Sequence, residues 1–228
     1  TECNDRLLRE AGGRWSGPPA DPAPVAAAAS GPLGDEARAL VTELLPTGPW
    51  TWKDPRLCLT LPFWRAVLDD VPPAVVCLRN PLEIAASLQR RNGFATGYGL
   101  ALWERYLRSL WPELAGRPVL VVDYDDVLAQ PASVVDALAG FVADHTGVGP
   151  TDEQRTAATA SLDEDERHHE ADDDALERDP AVSAEQRGLF DRSRALVGRH
   201  DALPAVDVGE ETPGLQLAFD EHCRMSEF

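Results

Sequence analysis

Three stretches carry residues whose types and spacing suit group-transfer chemistry on a doubly anionic donor: Trp52-Lys53-Asp54-Pro55-Arg56, Arg79-Asn80-Pro81 with Ser87, and Asp123-Tyr124-Asp125-Asp126. Lys53 is the only lysine in the chain, beside twenty arginines. A chain that uses Arg wherever charge alone matters, as in a genome favouring Arg codons, keeps Lys where a compact point charge on a thin stem is needed. Such a cation neutralises charge on a bridging oxygen as a leaving group departs. Asp54 is placed to orient Lys53 or Arg56, or to accept a proton from a hydroxyl acceptor. Against this stands a plain salt-bridge cluster at a strand end, the stronger reading for Asp54 and the weaker for Lys53.

Arg79 follows the apolar run Ala74–Leu78 (AVVCL). Such a run reads as a strand buried on both faces of a parallel sheet, and ligands bind off the carboxyl ends of such strands. The planar fork of Arg79 suits a phosphate. Pro81 opens a helix at no hydrogen-bonding cost, and Ser87 stands about two turns along it. Tyr124, past a second apolar run at 119–122, is placed to face a base or to pack on the next helix.

The positioning elements are read from period and punctuation. Helices are expected over 1–15 ended by Gly12-Gly13, over 35–45 with Ala37, Leu40, Val41, Leu44 and Leu45 inward, over 59–68 with Pro62 in its first turn, and over 82–91. Further helices are expected over 99–110, over 131–145 with Val134, Leu138, Phe141 and Val142 inward and closed by Gly147, and over 183–197. Residues 49–53 read as a short aromatic strand, 17–32 as a loop or loose linker, 163–179 as a solvated helix or mobile segment, and the tail after Asp201 as loop. The strand–helix–helix–strand order predicts an α/β fold, with an α/β domain over 1–150 and an acidic helical extension over 151–228.

The order WKDPR, a helix with LPFW, a buried strand, RNP with Ser eight residues after the Arg, and VVDYDD with Pro five residues beyond resembles the sulfotransferase superfamily. It looks closest to bacterial sulfotransferase-family proteins, and its KDP is similar to the tyrosylprotein branch. The resemblance spans about residues 5–145. It implies a P-loop-like three-layer fold, a parallel sheet flanked by helices with a helical C-terminal extension. The donor substrate would be 3′-phosphoadenosine 5′-phosphosulfate (PAPS), without a metal. Arg79 and Ser87 would bind the 3′-phosphate and Tyr124 would lie near adenine. Arg56 would join the donor site, and Lys53 would stabilise the sulfuryl in flight to a hydroxyl or amine of a glycan, lipid or small natural product. The family's Gly-rich 5′-phosphosulfate loop is expected before residue 1 or not at all, since no G-x-x-x-x-G-K-[ST] pattern occurs. Pro55 stands where many cytosolic members carry a histidine base.

Two other readings compete. Leu120–Val127 fits hhhDxDxV, the nucleophile motif of haloacid-dehalogenase-type phosphatases, with Asp123 attacking phosphorus, Asp125 as acid/base and Mg²⁺ bound. That motif leaves Lys53 and Arg79 without a role. The other is a sulfotransferase-like fold kept for binding alone.

Composition bounds the rest. A net charge of −18 argues against a general nucleic-acid binder, which needs a broad basic surface. No apolar run approaches a membrane span and no cleavable signal is visible, so a cytoplasmic setting is expected. Cys3, Cys58, Cys77 and Cys223 match no zinc or redox spacing, and Cys77 reads as a small buried hydrophobe. His168-His169 and the surrounding acidic run read as a solvated segment rather than a metal site.

Overall fold

A computed structural model describes residues 2–44, 50–69, 72–162 and 173–225. The protein is mostly helical, with a small three-stranded mixed sheet. In chain order the elements are α1 (Glu2–Glu10), α2 (Ala23–Ala27) with a 3-10 turn (Ala28–Ser30), α3 (Pro32–Leu44), α4 (Leu57–Leu68), β1 (Ala74–Leu78), α5 (Pro81–Asn92) and α6 (Thr96–Leu114). There follow β2 (Val119–Asp123), α7 (Tyr124–Ala129), α8 (Pro131–Thr146), α9 (Asp152–Ala160), α10 (Asp173–Arg178), α11 (Ala184–Arg194), β3 (Gly198–His200) and α12 (Leu215–Met225). The contacts group these into two compact units: one of residues 1–72, 101–113 and 211–228, the other of 73–100 and 114–210.

The first unit is helical. Leu7 of α1, Val25 of α2, Leu33 and Ala37 of α3, and Phe63 and Trp64 of α4 are buried in one cluster. Residues 17–32 are therefore not a loose linker: the Ala-rich stretch folds into α2 and the 3-10 turn because Val25 and Ala29 have an apolar surface to cover. Gly34 permits the close approach of α3, since a Cβ there would meet the Ala29 carbonyl at 2.0 Å. Helix α4 begins two residues earlier than expected. Pro62 thus lies inside it rather than in its first turn, and withholds one backbone donor. Leu40, expected inward, is 40% exposed. Residues 50–54 are irregular rather than strand. Helix α12 occupies part of the tail expected to be loop, with Leu215 and Phe219 as its buried stripe.

The second unit holds the sheet. Strands β1 and β2 are parallel and β3 returns antiparallel to β2, an addition the three residues Gly-Arg-His do not announce. Strand β2 is buried along Val119–Val122 as expected. Strand β1 is not buried on both faces. Val75 is 48% exposed and Cys77 is exposed, while Val76 and Leu78 point into the core. The alternation is that of a strand with one covered face. Helix α5 ends at Gly93 and α8 at Gly147, both in the left-handed conformation that terminates helices. Val142 of α8, expected inward, is 40% exposed. Ser183 opens α11 with a capping box. His168, His169 and most of the acidic run lie outside the described residues.

Among the described residues, no helix is long and apolar enough to cross a membrane.

Candidate functional site

In the second unit, strand register assembles the site. Leu78 lies opposite Asp123 at the carboxyl end of the parallel pair, so the next residue of each strand, Arg79 and Tyr124, emerges at the same edge. The Arg79 guanidinium carbon stands 4.2 Å from the Tyr124 ring centroid, in cation–π range. Asn80 caps α5: its side chain accepts from the Leu82 N–H at 2.9 Å, and Pro81 takes the first helical position.

Arg79, Glu83 and Ser87 are spaced four residues apart, which puts Glu83 and Ser87 on one face of α5. Arg79 Nε donates to Glu83 Oε2 at 2.8 Å. The Glu83 side chain is fully buried while that of Arg79 is 24% exposed. Sequence reading passed over Glu83. Its signal was available, as an acid four residues after the Arg on a helix that must pack. Ser87 is half-buried, and among the described residues its hydroxyl makes no hydrogen bond.

Asp123 closes the same edge. Its Oδ1 accepts from the Asp125 N–H at 3.0 Å, capping α7, and its Oδ2 lies 3.5 Å from Arg194 Nε. Burial raises the Asp123 carboxyl above its ordinary range. The Asp125 N–H and Arg194 oppose that shift, and Asp125 and Asp126 add to it. Arg194, from the last turn of α11, was also missed. Nothing local marks it; the β3 return that brings α11 near β2 is a long-range consequence of three residues. Cys77, one residue before Leu78, is exposed as a residue, yet the atoms packed around its sulfur desolvate the thiol and push it up, and Asp123 adds to the shift.

The other predicted residues lie in the first unit. Lys53 is exposed, and among the described residues it makes no ion pair or hydrogen bond. Its neighbour Asp54 is 7% exposed and held from several sides. Asn4 Nδ2 donates to Asp54 Oδ2 at 3.0 Å, and the Arg56 N–H and Nη1 donate to Asp54 Oδ1 at 2.9 and 3.1 Å. Arg56 Nε in turn donates to Asp5 at 2.6 Å, so its charge is met by two carboxylates. Asn4, fully buried, accepts from Trp64 Nε1 at 2.7 Å and Thr60 Oγ1 at 3.2 Å. Burial alone would raise Asp54, but the donors from Arg56 and Asn4 outweigh it and hold the carboxyl below its ordinary value. The Trp52 ring meets Trp64 edge-on at 4.3 Å between centroids. The turn that carries Lys53 is thus fixed on both sides of that residue.

The structure brings together Arg79, Glu83, Asp123, Tyr124 and Arg194 at one sheet edge, and Asp54, Arg56 and Asn4 in a separate knot. Among the described residues no group of three His, Cys, Asp or Glu side chains is arranged to hold a metal ion. Comparison of the chain with models of protein families, with curated proteins and with solved structures finds no match.

Proposed function

We propose that the second unit binds a 3′-phosphorylated nucleotide and that the protein is a PAPS-dependent sulfotransferase-type chain with a P-loop-like sheet. The observation that carries this reading is Arg79. It stands past the end of a parallel strand, fixed through Nε by a buried carboxylate and stacked against Tyr124. Fixing Nε and the ring face orients the guanidinium and leaves the rest of a partly exposed fork for an anion. Ser87, one turn beyond Glu83 on the same helix face, offers a hydroxyl to the same phosphate. Tyr124 borders the base.

Lys53 as the cation at the departing bridging oxygen rests on the resemblance and on its being the sole lysine. Asp54 and Arg56 are better read as scaffold for the Lys53 turn than as proton acceptor and donor ligand, because their polar atoms are engaged with each other, Asn4 and Asp5. The phosphatase reading is weaker for a geometric reason: Asp123 would be the nucleophile, yet its Oδ1 is taken by the helix cap and its Oδ2 neighbours Arg194. The acceptor would be a small molecule or glycan.

Titration calorimetry with 3′-phosphoadenosine 5′-phosphate tests the reading. One site per chain is expected, with Arg79→Ala weakening it at least about tenfold. Absence of binding, or equal binding by Arg79→Ala, overturns it. Magnesium-dependent release of phosphate from a generic ester, lost in Asp123→Asn, would favour the phosphatase instead.

A further inference from the structure

Asp123 sets a carboxylate at the edge that carries Arg79. It is registered against Leu78 at the carboxyl end of the parallel strands, one residue before Tyr124, whose ring Arg79 covers. The Cys77 thiol, desolvated by its packing, also feels Asp123 and Arg79 with opposite sign, so both charges reach the same sulfur. The groups that face Asp123 are Cys77 from β1, Asp125 and Asp126 from α7, and Arg194 from α11. Of these Arg194 alone is positive, and its Nε stands 3.5 Å from Asp123 Oδ2, at the far limit of a hydrogen bond. The other carboxylate oxygen caps α7 through the Asp125 N–H. A cap needs an acceptor oxygen and no charge: Asn and Ser serve about as well as Asp. Burial opposes the charge of Asp123, and two neighbouring carboxylates repel it. The fold therefore holds at this edge a negative charge that its local structure does not require.

We infer that Asp123 is a built-in brake on the anion site: its negative charge weakens anion binding at Arg79, and the brake is released when the carboxylate takes up a proton. The inference rests on the donor-nucleotide reading and adds its regulation. One like charge within about 8 Å of a phosphate, at an effective dielectric between those of a protein surface and water, weakens binding about fivefold. Anion binding and proton uptake then favour each other by the same factor. An anion at the edge raises the Asp123 carboxyl further, since it opposes the charged form. Burial already lifts that carboxyl above its ordinary value, so the uptake begins in mild rather than strong acid.

The test is calorimetric titration of the parent chain, Asp123→Asn and Asp123→Ser with 3′-phosphoadenosine 5′-phosphate at pH 7.5. Both substitutions keep an α7 cap and remove the charge, and either should bind about fivefold more tightly than the parent. Asp144→Asn is the control for net charge. Asp144 pairs with Arg199, which is registered against Leu120 toward the other end of β2, and its loss should leave the affinity within about twofold of the parent. At pH 5.5, heats measured in two buffers of different ionisation enthalpy should show the parent taking up more protons on binding than Asp123→Asn, a difference in which the titration of the ligand cancels. Binding by the parent with no gain in the folded Asp123 variants, or an equal gain in Asp144→Asn, would overturn the brake and leave the donor reading standing. Equal proton uptake by parent and Asp123→Asn would overturn its release by protons. No binding by the parent or any variant would overturn the donor reading, and this inference with it.

Discussion

The Arg79–Glu83 pair should respond asymmetrically to losing one partner or the other. In Arg79→Met the side chain keeps its length and its packing on Tyr124 but loses its charge, and a Glu83 carboxylate with no exposed surface remains. Removing one member of a buried pair costs roughly 3–5 kcal/mol when the charge left behind is fully desolvated. In Glu83→Gln the amide oxygen still accepts from Arg79 Nε, and the cation left behind keeps 24% of its surface in water. That change forfeits part of one charge-assisted hydrogen bond, about 1 kcal/mol. Equilibrium unfolding in urea at neutral pH should therefore place Arg79→Met about 2 kcal/mol below Glu83→Gln. Replacing both residues by Met should recover part of the loss, because the buried carboxylate is then gone as well. Equal losses for the two single variants, or a loss under about 1 kcal/mol for Arg79→Met, would refute the claim that a buried carboxylate anchors this arginine.

The scaffold under Lys53 gives further expectations. Asn4→Leu keeps the volume but strands the Trp64 indole N–H and takes one donor from Asp54, for about 3 kcal/mol, read as a fall in urea midpoint. Asp54 has a depressed carboxyl, so it contributes stability above its unfolded value and loses that contribution as the pH falls through the lower folded value. Acid unfolding of Asp54→Asn should accordingly be less steep below about pH 4 than that of the parent, though the variant is weaker at neutral pH. Gly99→Ala would bring a methyl to 2.7 Å from the Ala85 Cα where α5 and α6 touch, and should cost about 1–3 kcal/mol by thermal melting.

Local patterns carried far more of this structure than pairings did. Helices α1, α5 and α8 were legible because each pairs a 3.6-residue apolar stripe with a glycine or proline stop. The strand β2 was legible as an unbroken apolar run. Helix α2 was not, because its Pro- and Ala-rich sequence has weak periodicity and folds against a cluster that includes Leu7, Leu33, Phe63 and Trp64. The solvent face of β1 was misread because AVVCL carries no polar residue to betray its exposed side, at Val75 and Cys77. Residues 49–53 look like a strand by composition, but 50–53, their described part, are irregular, and ladder pairing is a tertiary fact. Within the candidate site, Arg79 and Tyr124 were found singly from strand ends, and only the register unites them. Glu83 was visible as spacing yet passed over, and Arg194 arrives through a three-residue strand with no local mark.

The most direct test of the central claim is the ratio of affinities for 3′-phosphoadenosine 5′-phosphate and 5′-adenosine monophosphate, which differ only by the 3′-phosphate assigned to Arg79 and Ser87. Both ligands are titrated into the parent chain and into Arg79→Ala. The bisphosphate should bind the parent at least about tenfold more tightly, the worth of one charge-assisted contact, and the ratio should fall to near one in the variant. A ratio near one in the parent, or a preference that survives loss of Arg79, would contradict the account.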